Sequence, residues 1–129
     1  DNALLCFGDT GPDTVEKTTR MRDVWAAVAE RVKQKQLRAI IIEVSYTNTQ
    51  PDGFLFGHLT PNYLIASLQE LEAMAGPGSL TDLPVVISHI KYSLKKGETP
   101  QETILRELQA ANSPEVRFIV PEQGQAWQF

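Results

Sequence analysis

Asp9, Glu43, His58 and His89 are the residues of this chain best suited to acid, base or metal-ligand chemistry. Asp9 follows the apolar run Ala3-Leu4-Leu5-Cys6-Phe7 and stands between Gly8 and Gly11, which are expected to turn the chain sharply and leave its carboxylate projecting from a sheet edge. The chain has only two histidines: His89 directly follows Val85-Val86-Ile87-Ser88, and His58 stands between a polar loop and a helix start. Asp9, Glu43 and His89 each end or nearly end an apolar strand, so a parallel sheet would crowd them with His58 at one edge. Carboxylate and imidazole together suit a divalent ion such as zinc or manganese. A catalytic zinc takes about three protein ligands plus water, whereas Asp9 and His89 supply two, and no His-x-His or His-x-x-x-His pair is present. Either further ligands come from elsewhere or the site holds no metal.

The elements that must position these groups alternate between strand and helix. Strands are expected over residues 3–7, 38–46, 83–88 and 116–120. A helix is expected from Val15 to about Gln36, where Met21, Val24, Trp25, Val28 and Val32 recur three and four apart. Asp13 with Glu16 reads as its capping box. Thr60-Pro61 opens a second helix with Leu64, Ile65, Leu68 and Leu71 inward, and Gly76-Pro77-Gly78 ends it. Thr99-Pro100-Gln101-Glu102 is the capping box of a third, with Ile104, Leu105 and Leu108 inward. The order βαβαβαβ predicts an α/β fold with a mostly parallel sheet, and the run Ala39-Ile40-Ile41-Ile42 suggests a strand covered on both faces.

Composition narrows the function classes. The 129 residues include 16 acids and 12 bases, a net charge of −4, with no basic run interleaved with aromatics. Nucleic acid is therefore not the expected partner, and no apolar run approaches the roughly 20 residues that span a bilayer. Cys6, the single cysteine, reads as a small buried hydrophobe. A strand with catalytic features as early as residue 3, with nothing before it to lead into it, points to part of a longer domain.

Phe7-Gly8-Asp9-Thr10-Gly11, Ile42-Glu43-Val44-Ser45-Tyr46, Leu55-Phe56-Gly57-His58-Leu59-Thr60-Pro61 and Ile87-Ser88-His89-Ile90-Lys91 occur in that order. Together they resemble the second half of the metallo-β-lactamase fold, an αββα sandwich, and within it most closely the class II cyclic-nucleotide phosphodiesterases. The resemblance covers nearly the whole chain, residues 1–129. It implies that Asp9 bridges two divalent ions and that His89 ligates the second. The ions would be zinc, with manganese or iron as alternatives. It further implies that His58 faces the scissile phosphate with Glu43 orienting it, and that 3′,5′-cyclic nucleotides (cAMP, and cGMP as a further candidate) are cleaved to 5′-monophosphates. The family's His-x-His-x-Asp-His motif is absent, so the resemblance implies a carboxyl-terminal portion that needs an amino-terminal half of the same enzyme and is inactive alone. The loop from Thr47 to Phe54 that leads into His58 is a candidate for ribose or base contacts, with Asn48, Phe56 and Thr60 as the expected substrate-binding residues. A homodimer is a further expectation.

Two other readings compete. A tRNA 3′-processing nuclease shares the Gly-Asp-Thr and Ser-His elements, but the acidic balance argues against RNA. A small non-enzymatic α/β regulatory module of the receiver type fits the length, yet its third strand would end on an acceptor aspartate, and here it ends on Ser88-His89.

Overall fold

A computed structural model describes every residue from Asp1 to Phe129. Four strands, β1 (Ala3–Cys6), β2 (Leu37–Glu43), β3 (Pro84–Ser88) and β4 (Arg117–Ile119), form one sheet in the order β1-β2-β3-β4, with each neighbouring pair parallel. Between them run α1 (Asp13–Glu16), α2 (Arg20–Lys33), α3 (Pro61–Ala75) and α4 (Pro100–Ala110). Parallel strands joined in sequence order by right-handed crossovers place all their helices on one face. A single apolar cluster shows this arrangement, joining Trp25 and Val32 of α2, Leu64, Leu68 and Leu71 of α3, and Ile104 and Leu108 of α4 to Ile40, Ile42, Val85 and Ile87 of the sheet. Each large aliphatic buried here contributes about 1.5–3 kcal/mol.

The other face carries no helix, and this corrects the expectation of a buried Cys6. Cys6 is exposed, not buried. Its register partner Ile41 is only partly covered. The run in β1 alternates between covered Ala3 and Leu5 and exposed Leu4 and Cys6, the pattern of an edge strand packed on one side only. In β2 the run Ala39-Ile40-Ile41-Ile42, expected to be covered on both faces, has Ala39, Ile40 and Ile42 buried and only Ile41 partly exposed.

The expected helix from Val15 to Gln36 is broken. Lys17 adopts a left-handed conformation (φ 55°), which ends α1 after four residues, and α2 starts anew at Arg20. Asp13 is the cap of α2 rather than the start of a capping box for α1. Its Oδ1 accepts from Met21 N–H (3.1 Å) and Thr18 Oγ1 (3.1 Å), and its Oδ2 from Arg22 N–H (3.0 Å). These bonds satisfy amide groups left free at the first turn. At α4 the expected box is complete: Thr99 Oγ1 accepts from Glu102 N–H (3.2 Å) and Glu102 Oε2 from Thr99 N–H (2.8 Å). Ile104 and Leu108 are buried, while Leu105 is only partly covered.

The α2–α3 contact also holds the end of β1 in place. Trp25, fully buried, donates from Nε1 to Ser67 Oγ of α3 (2.6 Å) and meets the Phe7 ring edge-on at 5.2 Å. Phe7 N–H donates to the Ile41 carbonyl (2.8 Å), so the ladder extends one residue beyond β1 and stops just before Asp9.

Candidate active site

The carboxyl ends of β1, β2 and β3 and the entry to α3 meet at one edge of the sheet. Asp9, His58 and His89 converge there, each offering one ligand atom, with all three atoms within 4.8 Å of one another. The two imidazole rings lie 5.1 Å apart, tilted by 33°. Asp9 and His89 are exposed and His58 is buried, so the group is anchored on one side and open on the other. Sequence position alone puts Asp9 and His89 at strand ends and His58 at a helix start; the fold brings the three into one cluster.

Glu43 lies behind this cluster, 1% exposed. A buried carboxylate is tolerated when its oxygens are hydrogen-bonded, and here four donors meet it. Oε1 accepts from Thr10 N–H (3.1 Å) and from His58 Nδ1 (2.9 Å). Oε2 accepts from Ser45 Oγ (2.8 Å) and from Leu59 N–H (3.4 Å). The donors come from the loop after β1, the loop before α3 and the continuation of β2, so one carboxylate ties three segments together. Ser45, also 1% exposed, lies 2.9 Å through Oγ from His89 Nδ1. The sequence reading gave Ser45 no role. Its signal was the spacing Glu-x-Ser, which on an extended strand puts both side chains on one face.

Local backbone explains the placement of each group. The Asp9 turn is held by Thr10, whose Oγ1 donates to the Gly8 carbonyl (2.9 Å) and whose amide is fixed on Glu43. Neither Gly8 nor Gly11 has a positive φ, contrary to the expected glycine turn; at Gly11 a Cβ would lie 2.8 Å from the Glu16 side chain, whereas at Gly8 it would meet nothing. Before His58, Phe56 (φ 52°) and Gly57 (φ 78°) are both left-handed, and this reverses the chain from the 3-10 turn Asp52–Phe54 toward α3. His89 itself has φ 57°, an uncommon conformation for a side chain larger than glycine and one that concentrates at functional sites. The pairing of β2 with β3 continues to it, through Val44 N–H on the Ser88 carbonyl (3.1 Å) and Lys91 N–H on the Ser45 carbonyl (3.0 Å).

The three expected substrate residues fall differently. Asn48 Oδ1 accepts from Asn62 N–H (2.8 Å), so it caps α3 from the loop, while Thr60, buried at the cap position itself, makes no side-chain cap bond. Phe56 is 72% exposed and its ring meets Phe54 edge-on at 6.2 Å. Tyr63 of α3 stands beside Asp52 of this loop, and that carboxylate, with lesser help from burial, raises the phenol above its ordinary value. Two cavities flank the cluster. One of about 390 Å³ borders Asp9 and is lined by Phe7, Thr18, Arg20, Val24 and Phe56. The other, of about 480 Å³, lies beyond His89 and is lined by Tyr46, Thr47, Lys91 and Lys95.

Both histidines direct Nδ1 inward to a fixed oxygen, leaving Nε2 as the outward nitrogen. One carboxylate and two such imidazoles form a donor set suited to a divalent metal ion. A parallel sheet with helices on one face, and this donor set at its carboxyl edge, define one sheet and one helix layer of the metallo-β-lactamase-type sandwich. Comparison with a crystal structure of unliganded yeast PDE1 agrees: the TM-score is 0.82 at 28% identity, over 95% of this chain and 35% of that one. The family model "cAMP phosphodiesterases class-II" matches residues 1–124, and the chain belongs to that family. A 3′,5′-cyclic-nucleotide phosphodiesterase of Aliivibrio fischeri is 58% identical over 123 residues, covering 95% of this chain and 37% of that protein. A probable 3′,5′-cyclic-nucleotide phosphodiesterase of Yersinia pestis is 50% identical over 124 residues, covering 95% and 36%. The chain thus spans little more than a third of these relatives, less than the half that its one sheet and helix layer suggest.

Proposed function

We propose that this chain supplies the carboxyl-terminal share of the active site of a metal-dependent 3′,5′-cyclic-nucleotide phosphodiesterase. The observation that carries this reading is the convergence of Asp9, His58 and His89 within 4.8 Å in a chain of the class II family. Asp9 and His89 are the proposed metal ligands, with zinc the leading candidate and manganese or iron the alternatives. Two bound ions would supply a water of lowered pKa and positive charge against the phosphate.

The chain's own residues do the rest. His58, held by Glu43 through Nδ1, keeps Nε2 toward the site. Carrying a proton on Nε2 as well, it donates that proton to the ribose 3′-oxygen as a water oxygen, releasing its own proton, bonds to phosphorus and the P–O3′ bond breaks, leaving a 5′-monophosphate. Phe56 and the cavity beside Asp9 offer an aromatic surface for the base. Further metal ligands come from an amino-terminal portion of the same enzyme, which would also cover Leu4 and Cys6 on the helix-free face of the sheet.

The test uses the complete enzyme with cyclic AMP and a tRNA precursor offered in parallel. Hydrolysis of cyclic AMP is expected; turnover of the RNA alone would overturn the reading. Elemental analysis then separates the histidine roles. His89→Ala is expected to lose metal, and His58→Ala to keep metal while losing turnover. Equal metal loss in both would make His58 a ligand instead.

A further inference from the structure

The Glu43 carboxylate reaches His58 directly, but its link to His89 passes through one hydroxyl. Counting protons along that path fixes its direction. An ionised carboxylate only accepts hydrogen bonds, and a serine hydroxyl has a single proton. At 2.8 Å from Glu43 Oε2, the Ser45 hydroxyl commits that proton to the carboxylate. Its oxygen must then accept at the 2.9 Å contact with His89, so the His89 ring carries its proton on Nδ1. Ser45 Oγ makes the only hydrogen bond of that ring, and the ring is otherwise exposed. The reverse direction would set an oxygen lone pair of Ser45 against an oxygen lone pair of Glu43 at 2.8 Å.

We infer that Ser45 is a positioning residue that relays the orientation set by Glu43 to His89, so that a single buried carboxylate fixes the tautomers of both site imidazoles. Ser45 touches neither substrate nor metal in this scheme. It acts by holding the His89 proton on Nδ1, which leaves the Nε2 lone pair directed outward. Outer partners of this kind are worth roughly 10–100-fold in metal affinity.

This inference rests on the proposed function only where metal is added; the tautomers are read on metal-free protein, so the two can fail separately. In the complete enzyme, labelled with ¹⁵N-histidine and stripped of metal, long-range proton–nitrogen correlation at about pH 8 reports each neutral ring's tautomer. The wild type is expected to show His58 and His89 both protonated on Nδ1. In Ser45→Ala, His89 alone should lose that tautomer and populate Nε2–H, because His58 keeps its direct bond to Glu43. Zinc affinity should fall by roughly 10–100-fold. A wild-type His89 protonated on Nε2 would overturn the relay without any variant. So would a Ser45→Ala protein in which His89 stays on Nδ1, or in which both rings change together.

Discussion

Replacing Glu43 by glutamine tests the proton order of the site more severely than deleting any donor, because it changes one oxygen to an NH₂ of nearly the same shape. The side-chain amide must choose which position faces which donors. On one side stand Thr10 N–H at 3.1 Å and His58 Nδ1; on the other stand Leu59 N–H at 3.4 Å and Ser45 Oγ. Backbone amides cannot reverse, and the longer, weaker bond is the cheaper to lose, so the NH₂ turns toward Leu59 and Ser45. The Ser45 oxygen then accepts from it, and the hydroxyl proton swings to His89 Nδ1. The ring proton of His89 moves to Nε2, and its lone pair turns away from the metal position. The two retained bonds, from Thr10 and His58, and the reversed bond to Ser45 are each weaker by about 1 kcal/mol without the charge. Relief from burying that charge, several kcal/mol, opposes this loss. Stability should therefore move by no more than about 2 kcal/mol. Metal affinity should fall by at least about 10–100-fold, equivalent to about 1.4–2.7 kcal/mol. Zinc competition against a chelator, thermal unfolding and the His89 tautomer read in the same protein measure all three. A Glu43→Gln enzyme with His89 still protonated on Nδ1 and metal affinity within about twofold of wild type would refute the reasoning.

Two further predictions concern the frame of the site. Asp13→Ala removes three bonds at the start of α2 and should cost about 1–2 kcal/mol in chemical denaturation; an unchanged midpoint would show that Asp13 does not cap the helix. Glu98, gripped by Arg106 through Nε (3.1 Å) and Nη2 (2.8 Å) and by Thr103 Oγ1 (2.8 Å), is held down to about 2, chiefly by the Arg106 bond and then by Thr103. Because the folded value is depressed, its stabilising contribution is complete above the ordinary value of 4.5 and is lost as pH falls toward about 2. NMR titration of the Glu98 carboxyl should show this low midpoint, and Arg106→Ala should return it upward; equal midpoints in the two proteins would show that the pair is not formed in solution.

Much of this protein is legible before folding. The period of apolar residues gives the α3 stripe of Leu64, Ile65, Leu68 and Leu71, and the pairing of Thr99 with Glu102 gives the start of α4, because both depend on residues within a turn or two of each other. The alternation of strand and helix gives a parallel sheet, and a parallel sheet gathers strand ends at one edge; Asp9, Glu43 and His89 follow from that rule alone. The motif order adds the family. Where neighbours in sequence do not decide, the reading fails. The break at Lys17 depends on Asp13 reaching Met21 and Arg22 eight and nine residues away. The exposure of Cys6 depends on which sheet face the helices cover, and a uniform apolar run carries no mark of that.

The identities and order of the site residues belong to the sequence, since only strand ends and a helix entry place such groups together. Which atom of each residue faces which partner belongs to the tertiary structure. Glu43 and Ser45 are two residues apart, but His58 and His89 approach them over 15 and 44 positions. The direction of the hydrogen bonds, and with it the nitrogen each histidine presents, exists only after those segments meet around one carboxylate.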